Sequence, residues 1–208
     1  MTRIIAGTLG GRRLTVGGDN TRPTSDRVRE ALFSMLDARM DLDDAAVLDL
    51  YAGSGALGLE ALSRGARHVV FVESDRKAVA AIRANIATCD AGDRTTLAGR
   101  SVADFLGGPR QTFDLILADP PYAIDDALLA QVLADVSDLL TDDGLLVVER
   151  AKRAPQTSWP GGLDVVVTKN YGDTRVEVAA RRADRPGASG ATGDRPGRAE
   201  RRGNRPAR

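Results

Sequence analysis

The chain has one cysteine, one histidine and one tryptophan, and only 4% of its 208 residues are aromatic. A single thiol, Cys89, excludes an internal disulfide and fits a reducing cytoplasm. Cys89 falls on the apolar side of a helical stripe, so packing is its expected role. His68 opens a strand-like run and is read as structural. No histidine is therefore placed as a general base, and no metal is expected. No long apolar run exists, which excludes a membrane-spanning helix. The start, Met1-Thr-Arg-Ile-Ile5, is too short in apolar residues to be a secretory signal. Net charge is absent too, with 29 Lys/Arg against 29 Asp/Glu. What is present is 42% hydrophobic residues, enough for one sizeable core in one domain.

The zero net charge conceals an asymmetry. Residues 1–30 hold six Arg and three acids (+3), and residues 181–208 hold nine Arg and three acids (+6), so 31–180 carries −9. Basic ends on an acidic core suit a polyanionic partner. Residues 183–208 are Arg/Gly/Pro/Ala-rich, with Asp-Arg-Pro-Gly at 184–187 and again at 194–197. They lack the apolar content to build a core, and disorder is expected.

Arg3–Gly7 and Arg12–Val16 flank a glycine-rich turn and read as a hairpin. A helix follows, with Thr24 or Ser25 as cap and Val28, Ala31, Leu32, Met35 and Leu36 as its apolar stripe. From residue 46 strands and helices alternate. Strands are predicted at 46–51, 68–73, 95–98, 113–118 and 145–149, and helices at 55–64, 75–89, 102–106 and 124–140. Two further strands, 165–171 and 174–180, bracket Gly172-Asp173 as a hairpin. Such alternation predicts an α/β fold, a Rossmann-like doubly wound mostly parallel sheet, here with an N-terminal β-hairpin/helix extension.

Two motifs carry chemistry. The first is Gly53-x-Gly55-x-x-Gly58, between an apolar strand and a helix. Glycine permits a tight turn and close backbone approach to a ligand. Glu73 ends the next strand, 20 residues after Gly53, where a ribose-binding acid belongs. This pattern fits either a nicotinamide dinucleotide or S-adenosylmethionine. Asp49, inside the first strand, would repel a pyrophosphate but suits a ligand with cationic sulfonium and ammonium groups. The second motif also favours the methyl donor. Asp119-Pro120-Pro121-Tyr122 follows a strand, at the end where open parallel sheets bind ligands. The Asp119 carboxylate and Pro120 carbonyl can accept from an exocyclic NH2. Pro121 stiffens the loop, and Tyr122 can stack on a base.

Asp49-Leu-Tyr-Ala-Gly-Ser-Gly-Ala-Leu-Gly58 together with Asp119-Pro-Pro-Tyr122 resembles the amino-methyltransferases. Arg3-Ile-Ile-Ala-Gly7, Arg12-Arg13-Leu14, Arg22-Pro-Thr24, Arg29-Glu-Ala-Leu-Phe33, Glu149-Arg150 and Lys169-x-Tyr171-Gly-Asp-Thr-Arg175 narrow the resemblance. They are similar to the bacterial RsmD-type 16S ribosomal RNA guanine-N2 methyltransferases, over roughly residues 3 to 180. The resemblance implies a class I methyltransferase fold and S-adenosylmethionine as cofactor. It also implies transfer to the exocyclic N2 of one guanine of 16S ribosomal RNA, guanine 966. A monomer acting on that RNA or on a small-subunit assembly particle is expected. Three segments follow: a hairpin and basic RNA-facing extension (1–30), a methyltransferase domain (31–182) and a basic tail (183–208). Cofactor contacts are expected from Thr24, Asp49, Tyr51, Gly53, Gly55, Glu73, Ser74, Ser101, Val102 and Asp119. The loop after the third strand of the sheet normally offers an acid for the adenine amine, and here it reads Gly99-Arg100-Ser101-Val102. Asp104 lies one helical turn further on, so Ser101 or backbone groups are expected to substitute. RNA contacts are expected from Arg3, Arg12, Arg13, Arg22, Arg27, Arg150, Lys152 and Arg153. Two alternatives stay open: a DNA amino-methyltransferase, and a non-catalytic RNA-binding assembly protein with a methyltransferase fold.

Overall fold

The computed structural model describes residues 2–17 and 26–182. Arg22, Thr24, Ser25 and the tail 183–208 lie outside the described residues. The chain starts with a short antiparallel pair, β1 (Thr2–Arg3) and β2 (Arg13–Leu14), and continues into α1 (Asp26–Asp37). Next come β3 (Ala46–Leu50), α2 (Ala56–Ser63), β4 (His68–Val72), α3 (Arg76–Thr88), β5 (Thr95–Ala98), α4 (Val102–Leu106) and β6 (Phe113–Ala118). The remaining elements are α5 (Asp126–Ser137), β7 (Leu140–Ala151), β8 (Leu163–Tyr171) and β9 (Thr174–Arg181).

Seven strands form one sheet in the order β5-β4-β3-β6-β7-β9-β8. The first five are parallel, and β9 runs antiparallel to both neighbours. The chain works outward from β3 to β5, then returns to lay β6 on the other side of β3. The connections after β3 and β6 therefore leave in opposite directions and open a crevice at the strand ends. Both motifs sit at that switch point, because Leu50 is in register with Ala118.

The central strands are apolar along their length because both faces are covered. Val47, Leu115, Leu117, Leu145, Val147, Val176 and Val178 face the side of α1 and α2, with Leu32, Phe33, Leu36, Leu59 and Leu62. Leu48, Leu50, Ile116, Leu146, Val148 and Ala179 face α5, against Leu129, Leu133 and Val136. Ile4, Leu9 and Leu14 of the amino-terminal hairpin belong to the first of these clusters. Cys89 is buried in it as well.

Three elements differ from the sequence reading by more than two residues at an end. The amino-terminal ladder is much shorter than Arg3–Gly7 with Arg12–Val16, because its next N–H groups find other partners. Ile5 and Ala6 donate to the Glu60 carboxylate at 2.6 and 3.1 Å, and Thr15 donates to Asn85 Oδ1 at 2.7 Å. Strand β7 starts at Leu140 rather than 145, with a register shift between Phe113↔Leu140 and Leu115↔Leu145. The predicted last helix, 124–140, correspondingly spans only Asp126–Ser137, with Asp125 as its cap. No helix among the described residues is long and apolar enough to cross a membrane.

Candidate active site

The turn after β3 is built from left-handed backbone. Tyr51 has φ 57°, Gly53 has φ 57° and Gly55 has φ 77°. Only glycine takes such angles without strain, so Tyr51 is held there by its surroundings. Gly55 closes the turn by donating to the Ala52 carbonyl at 2.6 Å. Gly58 serves packing: a Cβ there would stand 2.4 Å from the Phe71 ring and 2.7 Å from Val69. Beneath the turn Asp49 is buried and accepts from the Gly58 N–H at 2.9 Å. Burial raises its pKa to about 8, the Gly58 bond opposes this, and the Glu73 charge adds to it. Burial likewise pushes the half-buried Tyr51 phenol up.

Glu73, at the end of β4, braces the same turn. One carboxylate oxygen accepts from Gly53 N–H at 2.8 Å, and the other accepts from Ser74 and Asp75 N–H, both at 2.8 Å. A carboxylate has about four lone-pair sites, so it can also meet a ribose hydroxyl. Buried Asn85 of α3 holds the turn from behind, donating to the Ser54 carbonyl at 2.8 Å and the Thr15 carbonyl at 2.9 Å. At the next loop Ser101 caps α4. It accepts from Asp104 N–H at 3.0 Å and donates to Asp104 Oδ2 at 2.6 Å. This pair of bonds holds the Asp104 carboxylate against the Ser101 hydroxyl at the start of α4. Val102 is buried at the first position of that helix.

Asp119 follows β6, one residue beyond the Leu50↔Ala118 and Ala118↔Val148 pairs. Pro120 is buried, whereas Pro121 is exposed and Tyr122 is 51% exposed. An exposed aromatic ring at the mouth of a crevice is free to stack. Ile124 N–H closes the loop on the Pro121 carbonyl at 2.9 Å, and Asp125 caps α5 through Ala127 and Leu128 N–H. Arg150, buried at the end of β7, donates to Asp126 Oδ1 at 2.7 Å. Its guanidinium thus ties the start of α5 to the sheet.

The basic residues separate by position. Lys152 and Arg153 are exposed just past β7, on the rim that carries Asp119. Arg27 is exposed at the start of α1, and Arg3 lies 3.7 Å from Asp26. Arg13 is exposed and pairs with Arg3 across the hairpin. Arg12 is elsewhere: it donates to the Thr88 carbonyl at 2.8 Å, at the far end of α3. That carbonyl is about 18 Å along the helix from its rim end. Glu60, Asn85 and Glu149 are buried polar residues of this region that sequence reasoning missed. An amide inside the Ile82–Ile86–Cys89 stripe and an acid between Leu59 and Ala61 were the available signals.

A family model described as "Conserved hypothetical protein 95" matches residues 2–180. The Bacillus subtilis protein YlbH is 35% identical over 184 residues, covering 86% of this chain and 99% of its own length. The Haemophilus influenzae "Ribosomal RNA small subunit methyltransferase D" is 37% identical over 157 residues, covering 74% of this chain and 80% of its own. Among solved structures, Escherichia coli yhhF superposes with a TM-score of 0.77 at 35% identity, over 88% of this chain and 98% of that one.

Proposed function

The chain belongs to the RsmD-type family that this model describes, and from that premise we propose that it methylates the exocyclic N2 of one guanine of 16S ribosomal RNA. One observation carries the reading: the strand register that sets the glycine turn and the Asp119-Tyr122 loop side by side at the switch point. The first element suits a nucleoside-bearing methyl donor and the second suits a base with an exocyclic amine.

S-adenosylmethionine is the cofactor of this fold class, and the residues present fit it. Left-handed Gly53 and Gly55 leave the backbone bare at the turn, and Glu73 sets a carboxylate beside it. Ser101 and Asp104 supply a hydroxyl and an acid on the neighbouring loop. We assign the ribose to Glu73, the adenine edge to Ser74, Ser101, Val102 and Asp104, and the amino-acid end to the turn with Tyr51 and Thr24. Asp49 acts from below, fixing Gly58 and so the turn. When bound, the cofactor supplies an electrophilic methyl group on a sulfonium. The chain's task is then to aim a weak nucleophile. The N2 lone pair of guanine is delocalised into the ring. Acceptance of its two N–H bonds by Asp119 and the Pro120 carbonyl draws the nitrogen toward sp3 geometry and frees the lone pair. Tyr122 stacks on the base. Fixed alignment of this kind can contribute ~7–11 kcal/mol. The proton leaves after transfer, when the nitrogen is cationic and acidic, so no strong base is required. A base within folded RNA must first be extruded to reach the crevice. Lys152, Arg153 and Arg27 are assigned to the surrounding phosphates.

Replacing Asp119 with Ala tests the reading. Cofactor affinity by calorimetry should stay near wild type while kcat collapses, since the amine is oriented only for reaction. Tyr122→Phe should keep much of the activity and Tyr122→Ala little. An Asp119→Ala enzyme that methylates RNA at the wild-type rate would refute the assignment.

A further inference from the structure

We propose that Glu149 is the residue that selects guanine, by accepting the base's N1–H beside the amine held by Asp119; this rests on the guanine-N2 reading above. Glu149 is 5% exposed, at the end of β7. Strands β6 and β7 are paired through Ala118↔Val148; Glu149 is the next residue of β7, and Asp119 is the first residue of the loop after β6. Side chains alternate across a strand. Leu117 and Val147 face the side of α1 and Ala118 and Val148 face α5, so by alternation Glu149 of β7 returns to the α1 side. Glu149 Oε1 lies 3.4 Å from Thr174 Oγ1, while its neighbour Arg150 points the other way, to Asp126. Asp119 and Glu149 thus each follow the paired Ala118 and Val148 by one residue, on strands whose backbones lie about 4.8 Å apart.

The chemistry of the base matches that spacing. Guanine presents three N–H bonds on one edge, two from N2 and one from N1. Asp119 and the Pro120 carbonyl use the first two. A second buried carboxylate on the next strand meets the third. Acceptance from N1–H also pushes electron density into the ring and toward N2, which makes the amine a better nucleophile. Adenine offers a bare acceptor at N1. Facing Glu149 it would leave two acceptors opposed in a buried place, and a site built for a donor rejects a base that lacks it.

The base 2-aminopurine probes this contact: it keeps the exocyclic 2-amine and lacks the N1 proton and O6, and the loss of O6 is common to wild type and variant, so the contact is read from the difference between them. Small-subunit particles would be reassembled around 16S RNA ligated from two pieces, with guanine or 2-aminopurine at the position wild type methylates. Wild type should prefer guanine in kcat/KM by about tenfold to hundredfold, the worth of a buried hydrogen bond to a charged group. Glu149→Gln should lower turnover on guanine and shrink or invert the preference, because its amide can donate to the bare N1. Fluorescence of the 2-aminopurine RNA should report tighter binding to Glu149→Gln than to wild type. Cofactor affinity and melting temperature should stay at wild-type values in this variant. An unchanged base preference in Glu149→Gln overturns the proposal. So does loss of activity in step with cofactor affinity and melting temperature, which would make Glu149 structural. A wild-type enzyme that methylates neither base overturns the guanine-N2 reading as well.

Discussion

Asp49 shows what the site demands of a single residue. It is fully enclosed, yet carries an ionisable group whose pKa rises from 3.8 to about 8. The native state therefore binds this proton more tightly than the unfolded chain does. Stability from that proton is complete below about pH 4 and is lost as the pH climbs through about 8. A melting-temperature series from pH 5 to 9 on the cofactor-free protein should decline, and Asp49→Asn should flatten the decline. The amide keeps an oxygen for Gly58 N–H and cannot ionise. An Asn variant with the wild-type slope would show that Asp49 is already charged at low pH. Glu73 is the complementary case. Its three bonds to Gly53, Ser74 and Asp75 N–H mean that removal disturbs the turn itself. Glu73→Ala should weaken S-adenosylmethionine by about tenfold to hundredfold, from the lost charged hydrogen bonds. Unchanged affinity by calorimetry would move the ribose elsewhere.

At the scale of elements, the amino-terminal hairpin is held by polar docking as much as by its own ladder. Glu60 is wholly buried. It accepts from Ile5 and Ala6 N–H, takes Arg64 at 2.8 Å and faces Arg29 at 3.8 Å. Glu60→Ala leaves the Ile5 and Ala6 N–H groups without their acceptor and takes one carboxylate each from Arg64 and Arg29, which keep Asp37 and Asp26, and should cost about 3–5 kcal/mol in denaturant unfolding. A loss below about 1 kcal/mol would mean that the apolar contacts of Ile4, Leu9 and Leu14 suffice. These elements also mark what sequence could and could not give. The doubly wound mostly parallel class, both motif-bearing loops and the β8–β9 hairpin were legible, since each follows from apolar runs, glycine spacing and turn residues that act locally. The hairpin's true length was not, because Glu60 and Asn85 capture its N–H groups from more than 50 residues away. The early start of β7 was hidden by a register shift inside Leu140–Leu145. Arg12 reads as an RNA contact from its charge and from the Arg12-Arg13-Leu14 resemblance, and its bond to Thr88 depends on how the hairpin meets α3. Arg150 likewise has a protein partner that charge alone does not show, since only the fold brings Asp126 to it.

Taken whole, the molecule gathers at one switch point the glycine turn proposed for the cofactor and the Asp119-Tyr122 loop proposed for the base. Lys152 and Arg153, exposed just past β7, sit on that rim. Replacing both with Ala should lower the slope of log RNA affinity against log salt by up to ~1.4. Arg12→Ala should leave that slope unchanged and cost only a little stability. Equal salt slopes for wild type and the Lys152/Arg153 double variant would send the RNA surface elsewhere. The most direct measurement is mass mapping of methylated nucleotides. Purified protein would be incubated with S-adenosylmethionine and small-subunit particles from cells that lack it. The expected result is one new methyl group, on N2 of a single guanine of 16S RNA, absent with Asp119→Ala. Methylation of an adenine or cytosine amine, or of no nucleotide at all, would contradict the assignment of this crevice to guanine N2.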